Sequence, residues 1–205
     1  MVRVGLTGIY GSSKSAALRE FSKEGAFTLS ADRIVAELLE EPAVISRVRE
    51  AVGPLAVTAS GAVDKRSIAK AIFGDAKKRA AIEAVLHPMV AERIERALAS
   101  AHARVAVVEL PLLFEAAMEG RFDRTVAIVS GEELAVSRLK EAGLSGRDAR
   151  ARLRAQWPEI EKVRRADHVI INRSGPEALS AAVRNLMPRL TKAAPSRSST
   201  LCEKW

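Results

Sequence analysis

The 205-residue chain carries a formal net charge of +8, and 48% of its residues are hydrophobic while 28% are charged. This profile is that of a soluble globular protein with one α/β domain, or with a core domain and an inserted lobe. No apolar run approaches the roughly 20 residues that a membrane span requires, so we expect no membrane partner. The single cysteine, Cys202, excludes an intramolecular disulfide framework and, with an N-terminus that enters a strand directly, predicts a cytoplasmic protein.

A phosphate-binding loop is predicted near the N-terminus, where a short apolar run over residues 2–7 leads into glycines and serines. A helical pattern over residues 14–23 follows, so the loop joins a buried strand to a helix N-terminus. Backbone N–H groups of such a loop bind phosphate oxygens, Lys14 would reach the β- and γ-phosphates, and the hydroxyl of Ser15 would hold Mg²⁺. Ser13 stands where the strict P-loop pattern has its second glycine. An ordinary βα turn built from glycine and serine is the alternative.

A second short strand over residues 27–29 leads to Asp32, and a helical pattern follows. Asp32 is either the N-cap of that helix or a carboxylate at the end of a strand beside the loop, where α/β sheets bind ligands. Helical periodicity then dominates residues 41–102, which predicts an all-helical insertion. Within it, the proline of the segment 86–88 is expected to kink or restart the helix, and His87 alone is weak support for a site.

Three further strands are predicted over residues 104–110, 124–129 and 168–171, and a closing helix over residues 176–190. Glu109 lies inside the first of these apolar strands. A buried carboxylate is costly unless it is paired or lies near a metal, so this residue needs a partner.

The segment from Arg138 to Arg165 is basic, because nine lysines and arginines face four acids there and leave an excess of +5. It is interrupted at Trp157, and it either faces phosphates or forms a solvated pair of basic helices. No nucleic-acid fold signature and no interleaved aromatic residues accompany the charge, so we expect no nucleic-acid partner. Residues 191–205 have no periodicity and are predicted to form a flexible basic tail.

Five strands that alternate with helices predict an α/β fold with a doubly wound parallel five-stranded sheet. We expect a single P-loop kinase-like domain over residues 1–190. Its core would comprise residues 1–40 and 103–190, with a helical substrate lobe over residues 41–102 and a helical lid over about 140–165.

Several motifs follow one another along the chain. They are Gly8 to Ser15, Ala31-Asp32, Gly61-Ala62-Val63-Asp64-Lys65-Arg66, Leu86-His87-Pro88, Pro111-Leu112-Leu113-Phe114-Glu115, Arg138-Leu139-Lys140, Gln156 and Ala166 to Asn172. In this order the chain resembles the dephospho-CoA kinase family over residues 1 to about 188. The resemblance implies a fold of the P-loop, nucleoside-monophosphate-kinase type. It also implies transfer of a phosphoryl group from ATP to the ribose 3′-hydroxyl of dephospho-CoA, the last step of coenzyme A synthesis.

The resemblance also implies roles for single residues. Those implied to bind the nucleotide are Gly8, Gly11, Ser12, Ser13, Lys14, Ser15, Ala16 and Asn172. Those implied to bind dephospho-CoA are Asp32, Lys65, His87, Leu112, Leu113 and Glu115. The implied catalytic groups are Lys14, which neutralises the transferring group, Asp32, which accepts or orients the hydroxyl proton, and Arg138, a lid arginine. Ser15 is the implied ligand of Mg²⁺, and Asn172 would lie near the adenine.

The chain departs from the family pattern at four positions. Ile9 and Ser13 replace two loop glycines, Ser30 replaces a carboxylate, and Ala142 replaces a second lid arginine. Two hypotheses follow. The first is an active kinase, a monomer or weak homo-oligomer, that uses ATP and Mg²⁺. The alternative is a catalytically impaired homologue that binds ATP or CoA-like ligands as a regulator or scaffold, because losing one charged group can cost a phosphoryl-transfer site orders of magnitude in rate.

Overall fold

Five parallel strands form one sheet in the spatial order β2-β3-β1-β4-β5. The strands are β1, Val2–Gly8; β2, Phe27–Ser30; β3, Val105–Glu109; β4, Arg124–Val129; and β5, His168–Ile171. The computed structural model describes residues 1–53, 63, 67–68 and 75–192. The predicted parallel five-stranded sheet is confirmed, and the ends of each strand lie within about one residue of the expected ends.

The helices alternate with these strands. They are α1, Lys14–Lys23; α2, Ala31–Leu38; α3, Pro42–Val52; α4, Ala76–Ala99; α5, Glu132–Glu141; α6, Gly146–Arg154; α7, Glu159–Arg165; and α8, Pro176–Leu190. Two of them begin at side-chain caps, since Asp75 accepts the backbone N–H groups of Lys77 and Lys78, and Ser145 accepts that of Asp148. Over the described ranges, no helix has the length and apolar content that crossing a membrane requires.

The chain divides into two compact units. The first comprises residues 1–30 and the chain from residue 101 onward, and it holds the sheet with α1 and α5–α8. The second comprises residues 31–100 and holds α2, α3 and α4. In the second unit α3 and α2 pack against α4, and an ion pair between Arg93 and Glu41 links α4 to the start of α3.

The main core of the first unit lies between the sheet and the helices α1 and α8. Apolar residues of β1, β3, β4 and β5 meet the buried face of α1, which includes Ala17 and Phe21, and that of α8, which includes Val183 and Leu190. The helix predicted over residues 14–23 is therefore present, and its apolar side packs on the sheet. On β1, a Cβ atom added at Gly5 would lie 3.0 Å from side-chain atoms of both Leu113 and Phe122, so these residues pack closely on that strand.

At two positions the structure excludes one of the alternatives that the sequence left open. Helix α4 runs without interruption from Ala76 to Ala99 and includes Pro88, so the proline does not divide it into two helices. The long apolar face of α4, with Leu86 and Val90 buried, holds the helix together on both sides of the proline. Helix α2 begins at Ala31, which places Asp32 in the first turn and not at the N-cap.

Three predictions fall on residues that the structure does not describe. Most of residues 54–74, which belong to the predicted helical substrate lobe, lie outside the described residues, as does Lys65. The same is true of the tail from residue 193 onward, which includes Cys202.

Strand register brings the carboxyl ends of the central strands together. Glu109, the last residue of β3, pairs with Leu6 of β1 on one side and with Ser30 of β2 on the other. Gly8, the last residue of β1, pairs with Ile128 of β4. The loop that follows β1 therefore leaves the sheet at the edge where parallel α/β sheets bind ligands.

Candidate active site

The loop between β1 and α1, residues 8–13, is the candidate phosphate loop. Gly8 and Gly11 have φ angles of 151° and 78°, in the region that side chains disfavour. A Cβ atom at Gly8 would lie 2.5 Å from the carbonyl oxygen of Ile128, and one at Gly11 would overlap the carbonyl of Ala135. The two glycines let the loop backbone lie directly against β4 and the start of α5.

Ser13 adopts the conformation that glycine favours at this position. Its φ of 68° and ψ of 38° are left-handed, and its carbonyl oxygen accepts the backbone N–H groups of Ala16 and Ala17 at 3.1 and 3.0 Å. Serine in this conformation costs about 1–2 kcal/mol. The substitution of the P-loop glycine thus stores strain at the start of α1 but preserves the strand-loop-helix geometry.

Lys14 is the first residue of α1, and it is only 6% exposed. Its Nζ donates to the carbonyl oxygen of Ile9 at 2.9 Å and lies 5.6 Å from the centroid of the Tyr10 ring. A cation at a helix N-terminus gains nothing from the helix dipole, which favours anions there. A buried ammonium group among loop N–H groups is therefore suited to binding phosphate rather than to stabilising the helix.

Ser15 and Glu109 form a hydroxyl–carboxylate pair at the carboxyl end of β3. The Ser15 Oγ donates to Glu109 Oε1 at 3.0 Å and lies 3.3 Å from Oε2, and Glu109 is 2% exposed. The partner that the sequence required for this buried acid is thus the predicted magnesium ligand. Oxygen donors of these two types suit Mg²⁺, which binds few protein groups and keeps several waters. No group of three or more His, Cys, Asp or Glu side chains that could hold a metal ion occurs among the described residues.

Arg138 of α5 and Asn172, which follows β5, both contact the phosphate loop. The guanidinium of Arg138 donates to the carbonyl oxygens of Gly11 at 3.4 Å and Asn172 at 3.2 Å. The side-chain Nδ2 of Asn172 donates to the carbonyl oxygen of Ser12 at 3.1 Å, and Asn172 is buried. A residue predicted to be a catalytic lid arginine and one predicted to bind the nucleotide are therefore brought together at the loop backbone.

The predicted substrate residues that follow β3 differ in exposure. Leu112 is 40% exposed, whereas Leu113 is fully buried and packs over Gly5. Glu115 is mostly buried, and its Oε1 accepts from Lys162 Nζ at 2.6 Å and from the backbone N–H of Trp157 at 2.9 Å. In this structure Leu113 contributes to the core, and Glu115 holds the segment before α7.

Two buried charged residues of the first unit, Glu109 and Lys162, had no functional role predicted from the sequence. Glu109 was noted only for its position in an apolar strand, and Lys162 only as one charge of the basic segment. Burial lowers the pKa of Lys162 below its ordinary value of 10.5, and the ion pair with Glu115 opposes that shift. A polar residue within an apolar run was the available signal for Glu109, whereas the flanking charges concealed Lys162.

Helices α6 and α7 fall within the predicted lid. Buried Ala149 and Leu153 of α6 pack with Ile9 of the phosphate loop, while the arginines of α6 are exposed. Arg165 of α7 stacks over Trp157, with the guanidinium carbon 4.6 Å from the ring centroid. The apolar face of α6 is therefore fixed beside the loop, and its basic face is directed to solvent.

The remaining predicted residues belong to the second unit. Asp32 lies exposed in the first turn of α2, and His87 lies exposed within α4. The first turn of a helix favours a carboxylate such as that of Asp32, because the N-terminal end of the dipole is positive. The catalytic and substrate-binding roles of these two residues, and that of Lys65, stay predictions.

The family model and the curated relatives of this chain agree on one family. A family model described as dephospho-CoA kinase matches residues 2–177. The chain is similar to the dephospho-CoA kinase of Corynebacterium glutamicum, with 34% identity over 93% of this chain and 100% of that protein. A crystal structure of TT1252 from Thermus thermophilus has a TM-score of 0.83 and 34% identity, and covers 93% of this chain and 98% of that one. A shikimate kinase from Bacteroides thetaiotaomicron, 16% identical with a TM-score of 0.53 and covering 92% and 98% of the two chains, shares the fold.

Replacement of Ser13 by glycine is expected to stabilise the protein. Relief of the left-handed strain outweighs the added freedom of the unfolded chain, so the free energy of unfolding should rise by roughly 0.5–1 kcal/mol. Denaturation in urea measures it. Ser22→Gly, in the last turn of α1 and with an ordinary helical φ, is the matched control and should not raise that free energy. A loss of stability at position 13 would contradict the strain assigned to Ser13.

The burial of Lys162 is expected to make stability depend on pH in the alkaline range. Between the lowered pKa and 10.5 the unfolded chain binds more protons at this site, so its contribution to the free energy of unfolding rises with pH. The contribution is lost as pH falls through the lowered pKa. Because Lys162→Met alone leaves Glu115 unpaired, the comparison uses the double variant Lys162→Met/Glu115→Gln.

Unfolding of the wild type and of the double variant is to be measured from neutral pH to 10.5. The free energy of unfolding of the wild type, relative to that of the double variant, should increase as pH rises. The exposed Lys140→Met is the control and should follow the wild-type profile. Parallel curves for the wild type and the double variant would disprove the effect of burial on Lys162.

Proposed function

Because the chain belongs to the dephospho-CoA kinase family, we propose that it transfers the γ-phosphoryl group of ATP to the ribose 3′-hydroxyl of dephospho-CoA, completing coenzyme A. The observation that carries the proposal is the phosphate loop with buried Lys14 at its end and the Ser15–Glu109 pair beneath it. Phosphoryl transfer needs positioning and charge neutralisation more than covalent participation of the protein. This loop supplies both.

The phosphate loop binds the β- and γ-phosphates in the proposed complex. Backbone N–H groups at the N-terminus of α1 contact phosphate oxygens. The positive φ angles of Gly8, Gly11 and Ser13 give the loop a backbone conformation that allows this contact. Lys14 exchanges its contact with the Ile9 carbonyl for one with the transferring group. In this proposal Arg138 stabilises phosphate oxygens during transfer, which its contact with the loop at Gly11 supports.

Ser15 and Glu109 are the residues that would hold Mg²⁺. Their oxygens are 3.0 Å apart and at the ligand-binding end of the sheet, so a hydroxyl ligand and a carboxylate near the metal's waters are both available. When bound with ATP, the metal supplies positive charge to the phosphate oxygens. A buried carboxylate needs a hydrogen-bond partner or a nearby cation. In this proposal Ser15 and the metal meet that need for Glu109.

Asp32 is the proposed proton acceptor for the attacking hydroxyl. It is exposed in the first turn of α2, two residues along the chain from Ser30, the last residue of β2. A carboxylate that accepts or orients this proton contributes to the attack without a covalent intermediate. Lys65, His87, Leu112 and Glu115 complete the proposed contacts to dephospho-CoA. A cytoplasmic location, a monomer or weak homo-oligomer and the lack of a nucleic-acid partner are parts of the same proposal.

Replacement of Lys14 by alanine is expected to abolish catalysis. Loss of the charge on the transferring group should reduce kcat by about 10³-fold or more, measured as ADP release with ATP, Mg²⁺ and dephospho-CoA. Lys23→Ala, at the exposed end of the same helix, is the control and should keep the wild-type rate. A folded wild type with no dephospho-CoA-dependent turnover above the Lys14→Ala level would favour the impaired homologue instead.

Replacement of Glu109 by glutamine is expected to weaken the use of Mg²⁺. The Mg²⁺ concentration at half-maximal ADP release should rise by about 10- to 100-fold, because the carboxylate charge near the metal is lost. Exposed Glu133→Gln provides the matched control and should leave that concentration unchanged. An unaltered Mg²⁺ dependence in Glu109→Gln would remove this residue from the proposed metal site.

A further inference from the structure

The carbonyl oxygen of Pro111, two residues after the end of β3, accepts hydrogen bonds from three side chains. Lys162 Nζ donates to it at 2.8 Å, Gln156 Nε2 at 3.2 Å and Thr7 Oγ1 at 3.3 Å. All three donor residues are buried. Pro111 begins the turn that carries Leu112 and Glu115, so this carbonyl fixes the position of that turn.

Gln156 connects the same carbonyl to the phosphate loop. Its Oε1 accepts the backbone N–H of Tyr10 at 2.8 Å while its Nε2 reaches Pro111, and the residue is 7% exposed. Both ends of one buried amide are therefore used, one at the phosphate loop and one at the turn that Pro111 begins. Tyr10 lies in the middle of the phosphate loop, two residues after Gly8.

Lys162 reinforces the connection from α7. Its fully buried Nζ joins the Pro111 carbonyl to Glu115 Oε1, which also accepts the backbone N–H of Trp157. Trp157 adjoins Gln156 in the chain, so the ion pair also holds the segment that presents the glutamine amide. A buried ion pair is costly to desolvate and is weak support for a purely stabilising role.

We propose that Gln156 and Lys162 are positioning residues for phosphoryl transfer: they fix the phosphate loop to the turn 111–115 through the Pro111 carbonyl. The inference rests on the proposed function. In-line transfer requires donor and acceptor groups to be aligned closely, and a displacement of about 1 Å can cost about 10²-fold in rate. The amide of Gln156 sets the spacing between loop and turn, and Lys162 keeps that amide in place.

The test separates positioning from simple folding. Gln156→Leu removes both hydrogen bonds at similar volume, while Gln156→Glu keeps the acceptor for Tyr10 but loses the donor to Pro111. Asn185→Leu, an exposed amide on α8, is the matched control. For each protein we would measure kcat per nucleotide-binding site, and the Kd of a non-hydrolysable ATP analogue.

For Gln156→Leu we expect kcat to fall by about 10- to 100-fold while the Kd of the analogue changes by less than about threefold. Gln156→Glu should give an intermediate kcat, and Asn185→Leu the wild-type values. In the Lys162→Met/Glu115→Gln double variant, kcat should fall with analogue binding retained. A kcat for Gln156→Leu within about twofold of the wild type would overturn the proposal. The proposal would also be overturned if total activity fell only because fewer molecules bound the analogue, while kcat per binding site stayed at the wild-type value.

Hydrogen exchange of the Tyr10 amide gives a second readout that does not depend on turnover. This N–H is protected by Gln156, so its exchange should accelerate by about tenfold or more in Gln156→Leu but not in Asn185→Leu. Unchanged exchange would overturn the link between Gln156 and the loop. If the wild type itself does not turn over dephospho-CoA, the proposed function fails, whereas the exchange result still tests this contact.

Discussion

The site depends on one constraint: the backbone of the phosphate loop must be held in conformations that an isolated chain rarely adopts. Each contact that holds it comes from a different part of the first unit. Arg138 of α5 binds the carbonyl of Gly11, Asn172 after β5 binds that of Ser12, and Gln156 after α6 binds the N–H of Tyr10. Buried loop groups without partners would be costly, so these side chains also satisfy the backbone. The strain at Ser13 is tolerated because the surrounding structure determines the loop.

The parallel sheet explains why charged and hydroxyl groups meet at this edge. Register places Glu109 at the end of β3 beside β1, from which the loop leads to Ser15 on α1. Helices cover both faces of the sheet, so a side chain at the carboxyl end of a central strand is buried. It nevertheless lies next to the loops that follow the strands. The fold thus concentrates its costly polar groups where they can bind phosphate and metal.

Roles inferred from motifs and contacts found in the structure do not coincide at every residue. Asn172 was expected beside the adenine, whereas its side chain here supports the carbonyl of Ser12. Glu115 was expected at the substrate, whereas one of its oxygens binds Lys162 and the backbone of Trp157. Residues next to a binding site commonly orient the groups that touch the ligand, and a motif does not distinguish the two roles. The contacts therefore extend the site beyond the loop itself.

The sequence by itself determined the strands, the order of helices and the phosphate loop, because these follow from local apolar runs, periodicity and glycine positions. It also singled out Glu109 as a buried acid in need of a partner. Only the tertiary structure decided that this partner is Ser15, which is 94 residues away in the chain. It also paired Asn172 with Ser12 across 160 residues and Lys162 with Glu115 across 47. It also decided that α4 continues through Pro88. Such outcomes depend on packing between distant segments, which local sequence patterns do not encode.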